Sequence, residues 1–148
     1  MNLNSINMSY FNDGQPHLIL KQKPDGYRIS LKTLEDVFKL RLALSVHNPG
    51  KVYIDYMLGA RMDRPIDGNQ PPTLDIIKDM ITVPGTEYYV FSPHSDKVLG
   101  GVFYENKIAL TNYYGKLFRE CLPPETLYVI PDKGMADRFK EEHLTGLI

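Results

Sequence analysis

The sequence predicts an α/β domain with a mostly parallel sheet flanked by helices and a β-hairpin at its N-terminal end. Two observations lead to this class. Short apolar segments of strand length alternate with segments of helical periodicity, which is the order of βαβ units. The chain has 148 residues, of which 43% are hydrophobic, enough to bury a core. This length suits one domain, so residues 1–148 are expected to form a single domain.

The first predicted elements are a hairpin and a capped helix. Segments 17–21 and 27–31 are expected to pair as antiparallel strands, because the P-D-G sequence at 24–26 is a strong turn signal. Thr33 is predicted to cap the next helix, with Asp36 in its first turn. Further strands are predicted at 51–56, 87–91, 107–110 and 126–130. The first helix is predicted from 34 to near 48–50, and further helices at 73–81, 113–121 and 135–142.

Three polar loops follow predicted strands, at residues 57–72, 92–99 and 131–135. The carboxyl ends of parallel strands lie at one edge of a sheet, and open α/β sheets bind their ligands there. We therefore expect the three loops to open on the same edge and to contain the functional site.

The first of these loops carries two arginines three residues apart, Arg61 and Arg64. A guanidinium offers a fixed fork of donors that suits phosphate oxygens, so this pair is a candidate clamp for a polyphosphate. The alternative is a solvated loop in which Asp63 pairs with one of the arginines.

The other two loops carry candidate metal-binding or proton-transferring groups. His94 follows a strand, and Asp96 is a nearby carboxylate, so a hard divalent ion is conceivable there. The alternative is an ordinary hydrogen-bonded loop histidine. In the third loop, Asp132 is a candidate helix cap, Lys133 is either solvated or in contact with a phosphate, and the backbone amides are a candidate anion site.

Composition argues against several classes of protein. The formal net charge of -1 does not favour a broad nucleic-acid-binding face. The one cysteine cannot form an intrachain disulfide, and we see neither a secretory signal nor an apolar stretch long enough to cross a membrane. The sequence contains no P-loop and no dinucleotide-binding fingerprint. A cytoplasmic protein is therefore expected.

Five short motifs, in order along residues 10–140, resemble those of ribose-phosphate diphosphokinases, the enzymes that make phosphoribosyl pyrophosphate. The motifs are Y-F-N-D-G-Q at 10–15, I-D-Y-M-L-G-A-R-M-D-R at 54–64, P-T-L at 72–74, F-S-P-H at 91–94 and I-P-D-K-G at 130–134. They are similar to the family segments R-F-x-D-G-E, P-Y-x-x-Y-A-R-Q-D-R, P-[IF]-T, the strand ending in D-L-H, and S-P-D-x-G. The ordered set is more specific than any one motif.

The resemblance implies an N-terminal, phosphoribosyltransferase-like domain of a two-domain enzyme whose active site lies between the domains. It implies ATP as substrate, Mg²⁺ as cofactor and an oligomer. The roles it implies are ATP binding by Arg61 and Arg64, an adenine pocket formed by Phe11 and Asp13 across a subunit interface, and a magnesium and triphosphate site at His94 and Asp132.

The sequence departs from the family pattern at three positions. Met62, Gln15 and Ser92 stand where the family has glutamine, glutamate and aspartate. The D-D-x-x-x-T-G-G-T ribose-phosphate loop and the flexible basic loop of the second domain are not in this sequence.

Three interpretations follow from this pattern. The first is an ATP-binding half of a diphosphokinase that needs a C-terminal partner for activity. The second is a non-catalytic regulatory or nucleotide-binding module that joins a diphosphokinase oligomer. The third is a divergent relative that pyrophosphorylates a larger ribose compound.

Overall fold

A computed structural model describes residues 1–65, 67–69, 71–106, 120–121 and 123 of the chain. The chain forms two compact units, Met1–Asn106 and Lys107–Ile148, and the fold below is that of the first. Several predictions fall outside the described residues. They are the strands at 107–110 and 126–130, the helix at 135–142, most of the helix at 113–121, and the role of Asp132. The prediction of a single domain stays a prediction.

The first unit is built on a four-stranded parallel sheet. Its strands are β3 (Tyr27–Ser30), β4 (Lys51–Tyr56), β5 (Glu87–Val90) and β6 (Phe103–Glu105), in that spatial order. Helix α1 (Leu34–Val46) connects β3 to β4, and helix α2 (Thr73–Ile81) connects β4 to β5. A two-stranded hairpin, β1 (Ser9–Tyr10) with β2 (Pro16–His17), precedes the sheet. The predicted fold class, α/β with a mostly parallel sheet, flanking helices and a hairpin, is therefore confirmed.

Helix α1 begins at the predicted cap. The Thr33 side chain accepts a hydrogen bond from the Asp36 backbone N–H at 3.2 Å, and the Asp36 carboxylate accepts one from the Thr33 N–H at 3.0 Å. This reciprocal pair satisfies two backbone donors that the helix itself leaves free, and such a cap is worth about 1 kcal/mol. The helix ends at Val46, and its last turn closes through the His47 N–H on the Ala43 carbonyl.

The predicted pairing of 17–21 with 27–31 is wrong. The hairpin instead joins β1 and β2, and β3 runs parallel to β4 with Tyr27 opposite Val52. The other edge of β3 is taken by the chain's first residues: the Arg28 N–H donates to the Met1 carbonyl at 2.8 Å, and the Met1 amino group donates to the carbonyl of residue 26 at 2.7 Å. With both edges of β3 occupied, no edge is left for 17–21.

The two faces of the sheet differ in character. Fully buried apolar side chains of β3, β4 and β5 form one face of the core, together with residues from both helices. The opposite face carries a row of tyrosines on adjacent strands, Tyr53, Tyr89 and Tyr104, whose ring centroids are 5.4 and 5.7 Å apart. None of the helices in the described part of the chain is long and apolar enough to cross a membrane.

Candidate functional site

The loop after β4 is anchored to the start of α2. The Met62 N–H donates to the Gly59 carbonyl at 2.8 Å, and the Leu74 N–H donates to the Met62 carbonyl at 3.2 Å. Gly59 has a φ of 81°, and a Cβ added there would lie 3.2 Å from Leu74 Cα and N. A glycine is therefore required for the loop to approach the helix this closely.

The loop after β5 starts with a strained residue. Ser92 has a φ of 42°, the one positive φ among the described residues that are not glycine. Ser95 caps a short 3₁₀ helix, Asp96–Val98, and its hydroxyl accepts a hydrogen bond from the Lys97 N–H at 3.2 Å. Val98 is fully buried and fastens this helix to the core.

The two loops meet through side chains at the carboxyl edge of the sheet. Ser95 Oγ donates to Asp63 Oδ2 at 2.6 Å, and Lys97 Nζ donates to the Asp63 backbone carbonyl at 3.4 Å. Two of the three polar loops expected at this edge therefore lie side by side. The third, 131–135, lies outside the described residues.

The junction is a single carboxylate with cations close by. Arg64 Nε lies 3.5 Å from Asp63 Oδ1 and the Arg64 side chain is 76% exposed, whereas that of Asp63 is 11% exposed. The hydrogen bond from Ser95, followed by the charges of Arg64 and Lys97, lowers the pKa of Asp63 below its ordinary value, against the opposing effect of desolvation. The pairing of Asp63 with an arginine, which the sequence left open, is present.

Arg61 lies two residues before this carboxylate and points to solvent. Its side chain is exposed, and in the part of the chain that the structure describes it makes neither a hydrogen bond nor an ion pair. It follows Ala60, which is buried, and its own guanidinium is available to solvent. Together with Arg64 and Lys97 it gives the edge three exposed cations.

The predicted metal ligands are not brought together within the described residues. His94 is exposed on the loop after β5, and Asp132 falls outside the description. No three His, Cys, Asp or Glu side chains of the described chain are grouped closely enough to hold a metal ion. Magnesium in nucleotide sites is usually held by one or two carboxylates plus substrate phosphates. The metal roles of His94 and Asp132 therefore stay predictions.

Phe11 and Asp13 lie in the turn of the hairpin. The Gln15 N–H donates to Asp13 Oδ1 at 3.1 Å, and the Phe11 N–H donates to the Gln15 carbonyl at 2.9 Å. The Phe11 side chain is 57% exposed, and its ring meets that of His17 edge to face at 4.7 Å. Among the described residues this turn has no hydrogen bond, ion pair or ring contact with the loop that carries Arg61.

Sequence reasoning missed Lys97 and gave Ser95 no role. Both lie in the loop 92–99, which was expected to converge with the segment 61–64, here called the arginine segment. A cation and a hydroxyl in that loop were therefore the features that could have indicated a contact. The pattern of residues does not say which side chain would reach across, because that depends on the short 3₁₀ helix after Ser95.

No family model matches the sequence, and no curated protein matches it. Among solved structures, the fold is similar to that of the phosphoribosylpyrophosphate synthetase from Mycobacterium smegmatis, with a TM-score of 0.54 and 14% identity. The similarity covers 78% of this chain and 45% of that protein, so the chain spans less than half of its length. At this identity the likeness shows a synthetase-like fold.

Proposed function

We propose that the chain is the N-terminal, ATP-binding half of a ribose-phosphate diphosphokinase. Such an enzyme transfers a diphosphoryl group from ATP to ribose 5-phosphate for nucleotide biosynthesis. The observation that carries the proposal is the hydrogen bond between Ser95 and Asp63, which joins the arginine segment to the loop of His94 at the carboxyl edge of the sheet. The likeness in fold to a phosphoribosylpyrophosphate synthetase supports it.

The charges at this edge suit a polyphosphate. Transfer of a phosphoryl group needs positioning and charge neutralisation more than covalent help from the protein. Arg61 and Arg64 offer forked donors for phosphate oxygens, and Lys97 adds a point charge from the neighbouring loop. The carboxylate of Asp63 opposes an anion, but its charge is partly offset by the Ser95 hydrogen bond and by Arg64.

The remaining roles follow the family resemblance. Phe11 and Asp13 contribute to an adenine pocket completed by a second subunit, which the exposure of Phe11 allows. His94 and Asp132 lie at a site for Mg²⁺, which neutralises phosphate charge when bound. The enzyme works in the cytoplasm as a homo-oligomer or with a separate C-terminal half, and that second half supplies the ribose 5-phosphate site.

A second candidate is a non-catalytic module that binds nucleotide within a diphosphokinase oligomer. The observation that favours it is Ser92, which stands where the resembled motif has an aspartate. A serine hydroxyl is a weaker ligand than a carboxylate for a hard cation such as magnesium. On this reading the chain retains the arginine clamp but contributes no metal ligand at position 92.

Calorimetric titration of the purified chain with ATP, with and without magnesium, tests the proposal. We expect saturable binding that is tighter with magnesium, and diphosphoryl transfer to ribose 5-phosphate once a C-terminal diphosphokinase domain is added. Binding without transfer in that mixture would favour the second candidate. If ATP at millimolar concentration does not bind even after the second domain is added, the proposed function is wrong.

A further inference from the structure

Asp63 is a carboxylate in the middle of the proposed anion site. It lies between Arg61 and Arg64, where a carboxylate opposes the approach of a polyphosphate by like-charge repulsion. Its side chain is 11% exposed, whereas that of Arg64, with which it forms an ion pair, is 76% exposed. Because this carboxylate weakens the positive potential of the site, we expect it to have another role.

The contacts of Asp63 supply that reason. The Ser95 hydroxyl accepts from the Lys97 N–H at 3.2 Å and donates to Asp63 Oδ2 at 2.6 Å. Because the hydroxyl has one proton and an ionised carboxylate can only accept, that proton is directed at Asp63. Lys97 Nζ approaches the carbonyl of the same residue at 3.4 Å. Asp63 is thus held through both its side chain and its backbone by the neighbouring loop.

The position of this contact along the loop matters. Met62 is bound to Gly59 and to the start of α2 through backbone hydrogen bonds. Asp63 is the next residue, and the first to be bound to the loop after β5. Beyond it, Arg64 is 76% exposed, so the contact lies at the point where the arginine segment leaves the body of the fold.

We propose that Asp63 and Ser95 form a tie that positions Arg61 and Arg64 for the phosphates of ATP. This inference rests on the proposed function. Asp63 is a positioning residue in this account: it fixes the backbone between the two guanidiniums and makes no contact with ATP. The gain in ATP affinity from fixing the two guanidiniums outweighs the repulsion from the carboxylate. Its charge is offset by the Ser95 hydrogen bond and by the charges of Arg64 and Lys97.

A double-mutant cycle on Mg-ATP affinity tests the tie. We expect Ser95→Ala and Asp63→Ala each to weaken binding about 10-fold, and the double variant to be weaker by about the same factor rather than about 100-fold, because both remove one contact. Ser95→Thr keeps the hydroxyl and should bind within about 2-fold of the wild type. Ser45→Ala, which removes another exposed hydroxyl that donates to the Arg41 carbonyl, is the matched control.

Wild-type affinity in Ser95→Ala, or fully multiplicative effects in the double variant, would overturn the tie. A second readout separates this inference from the proposed function. Carboxyl NMR titration should find the pKa of Asp63 below its ordinary value in the wild type and shifted upward in Ser95→Ala, since the Ser95 hydrogen bond is the largest cause of the lowering. If the wild type fails to bind ATP, the function is wrong, and an unchanged Asp63 pKa in Ser95→Ala then shows that the tie is wrong as well.

Discussion

At the amino and the carboxyl edge of the parallel sheet, one side chain links two neighbouring loops. The chemistry of the two links differs. At the amino edge Asn48 is the junction. Its Oδ1 accepts from the Gly50 N–H at 2.8 Å and from Thr86 Oγ1 at 3.1 Å, and its Nδ2 donates to the Pro84 carbonyl at 3.2 Å. All of these partners are neutral, and Thr86 is 1% exposed.

At the carboxyl edge the junction is Asp63, a charged residue with charged neighbours. It is bound by Ser95 and approached by Arg64 and Lys97, and Arg61 lies exposed beside it. The amino edge therefore uses its polar groups on one another, which serves stability. The carboxyl edge leaves cationic donors turned to solvent, where we propose that they bind an anion.

The largest expected effect is at the amino edge. Asn48→Ala removes three hydrogen bonds of about 1 kcal/mol each, so we expect the free energy of unfolding to fall by about 3 kcal/mol in urea denaturation. Asn48→Asp keeps both accepted hydrogen bonds and loses the donated one, and should cost about 1 kcal/mol. Wild-type stability of Asn48→Ala would contradict a stabilising role of the amino edge. A change in nucleotide affinity of the folded variant would contradict the assignment of binding to the carboxyl edge.

The next effect is on binding at the carboxyl edge. Arg61→Ala should weaken ATP binding by about 1.5–3 kcal/mol, the value of a hydrogen bond to a charged group, without lowering the melting temperature. Arg28→Ala is the matched control, because Arg28 is also an exposed arginine but is paired with Asp55 at 2.8 Å on the tyrosine face. Equal affinities of the two variants would remove Arg61 from the site.

A smaller effect on stability is expected within the arginine loop itself. Gly59→Ala introduces a Cβ 3.2 Å from the backbone of Leu74 at a positive φ, and should lower the free energy of unfolding by about 1–2 kcal/mol. Gly68→Ala, in the same loop with nothing within 4 Å of the added Cβ, should be neutral. Thermal or urea unfolding that does not separate the two variants would contradict the close approach of the loop to α2.

The smallest effect is a pH dependence. The pKa of Asp63 is lower when folded than when unfolded, so its contribution to stability is present above the ordinary aspartate pKa of about 3.9 and is lost as the pH falls through the lower folded value. We expect the stability difference between the wild type and Asp63→Asn to be constant from pH 5 to about 7 and to shrink below about pH 4. A difference that shrinks on raising the pH would have the wrong sign.

Much of the regular structure could be predicted from the sequence. The bounds of β4 and α2 are those predicted, because Lys51–Tyr56 is apolar at alternate positions and Thr73–Ile81 buries Leu74, Ile77 and Ile81 at helical spacing. Strand β5 ends one residue earlier than predicted, at Val90.

A hairpin was predicted, but its position could not be, because its strands are two residues each and carry no periodicity. At 24–26 the chain bends at Asp25 and then enters β3 of the parallel sheet. The outer edge of β3 pairs with the first residues of the chain, so no hairpin forms there. β6, with three residues after a glycine pair, was missed for the same reason of length.

The meeting of two of the polar loops could be predicted from the sequence. The convergence of two loops follows from the parallel order of the strands, and the sequence alone supports that argument. The contact of Ser95 with Asp63 does not follow from it, because two side chains 32 positions apart in the sequence meet only if both loops take one particular shape.

The most direct test of the comparison is to map Mg-ATP onto the folded chain by amide NMR shifts. We expect the largest changes at residues 61–64 and 94–97, with the amides of Asn48, Gly50, Gly85 and Thr86 unaffected. Changes confined to the amino edge or to the tyrosine face, or no changes at saturating ATP, would contradict a nucleotide site at the carboxyl edge.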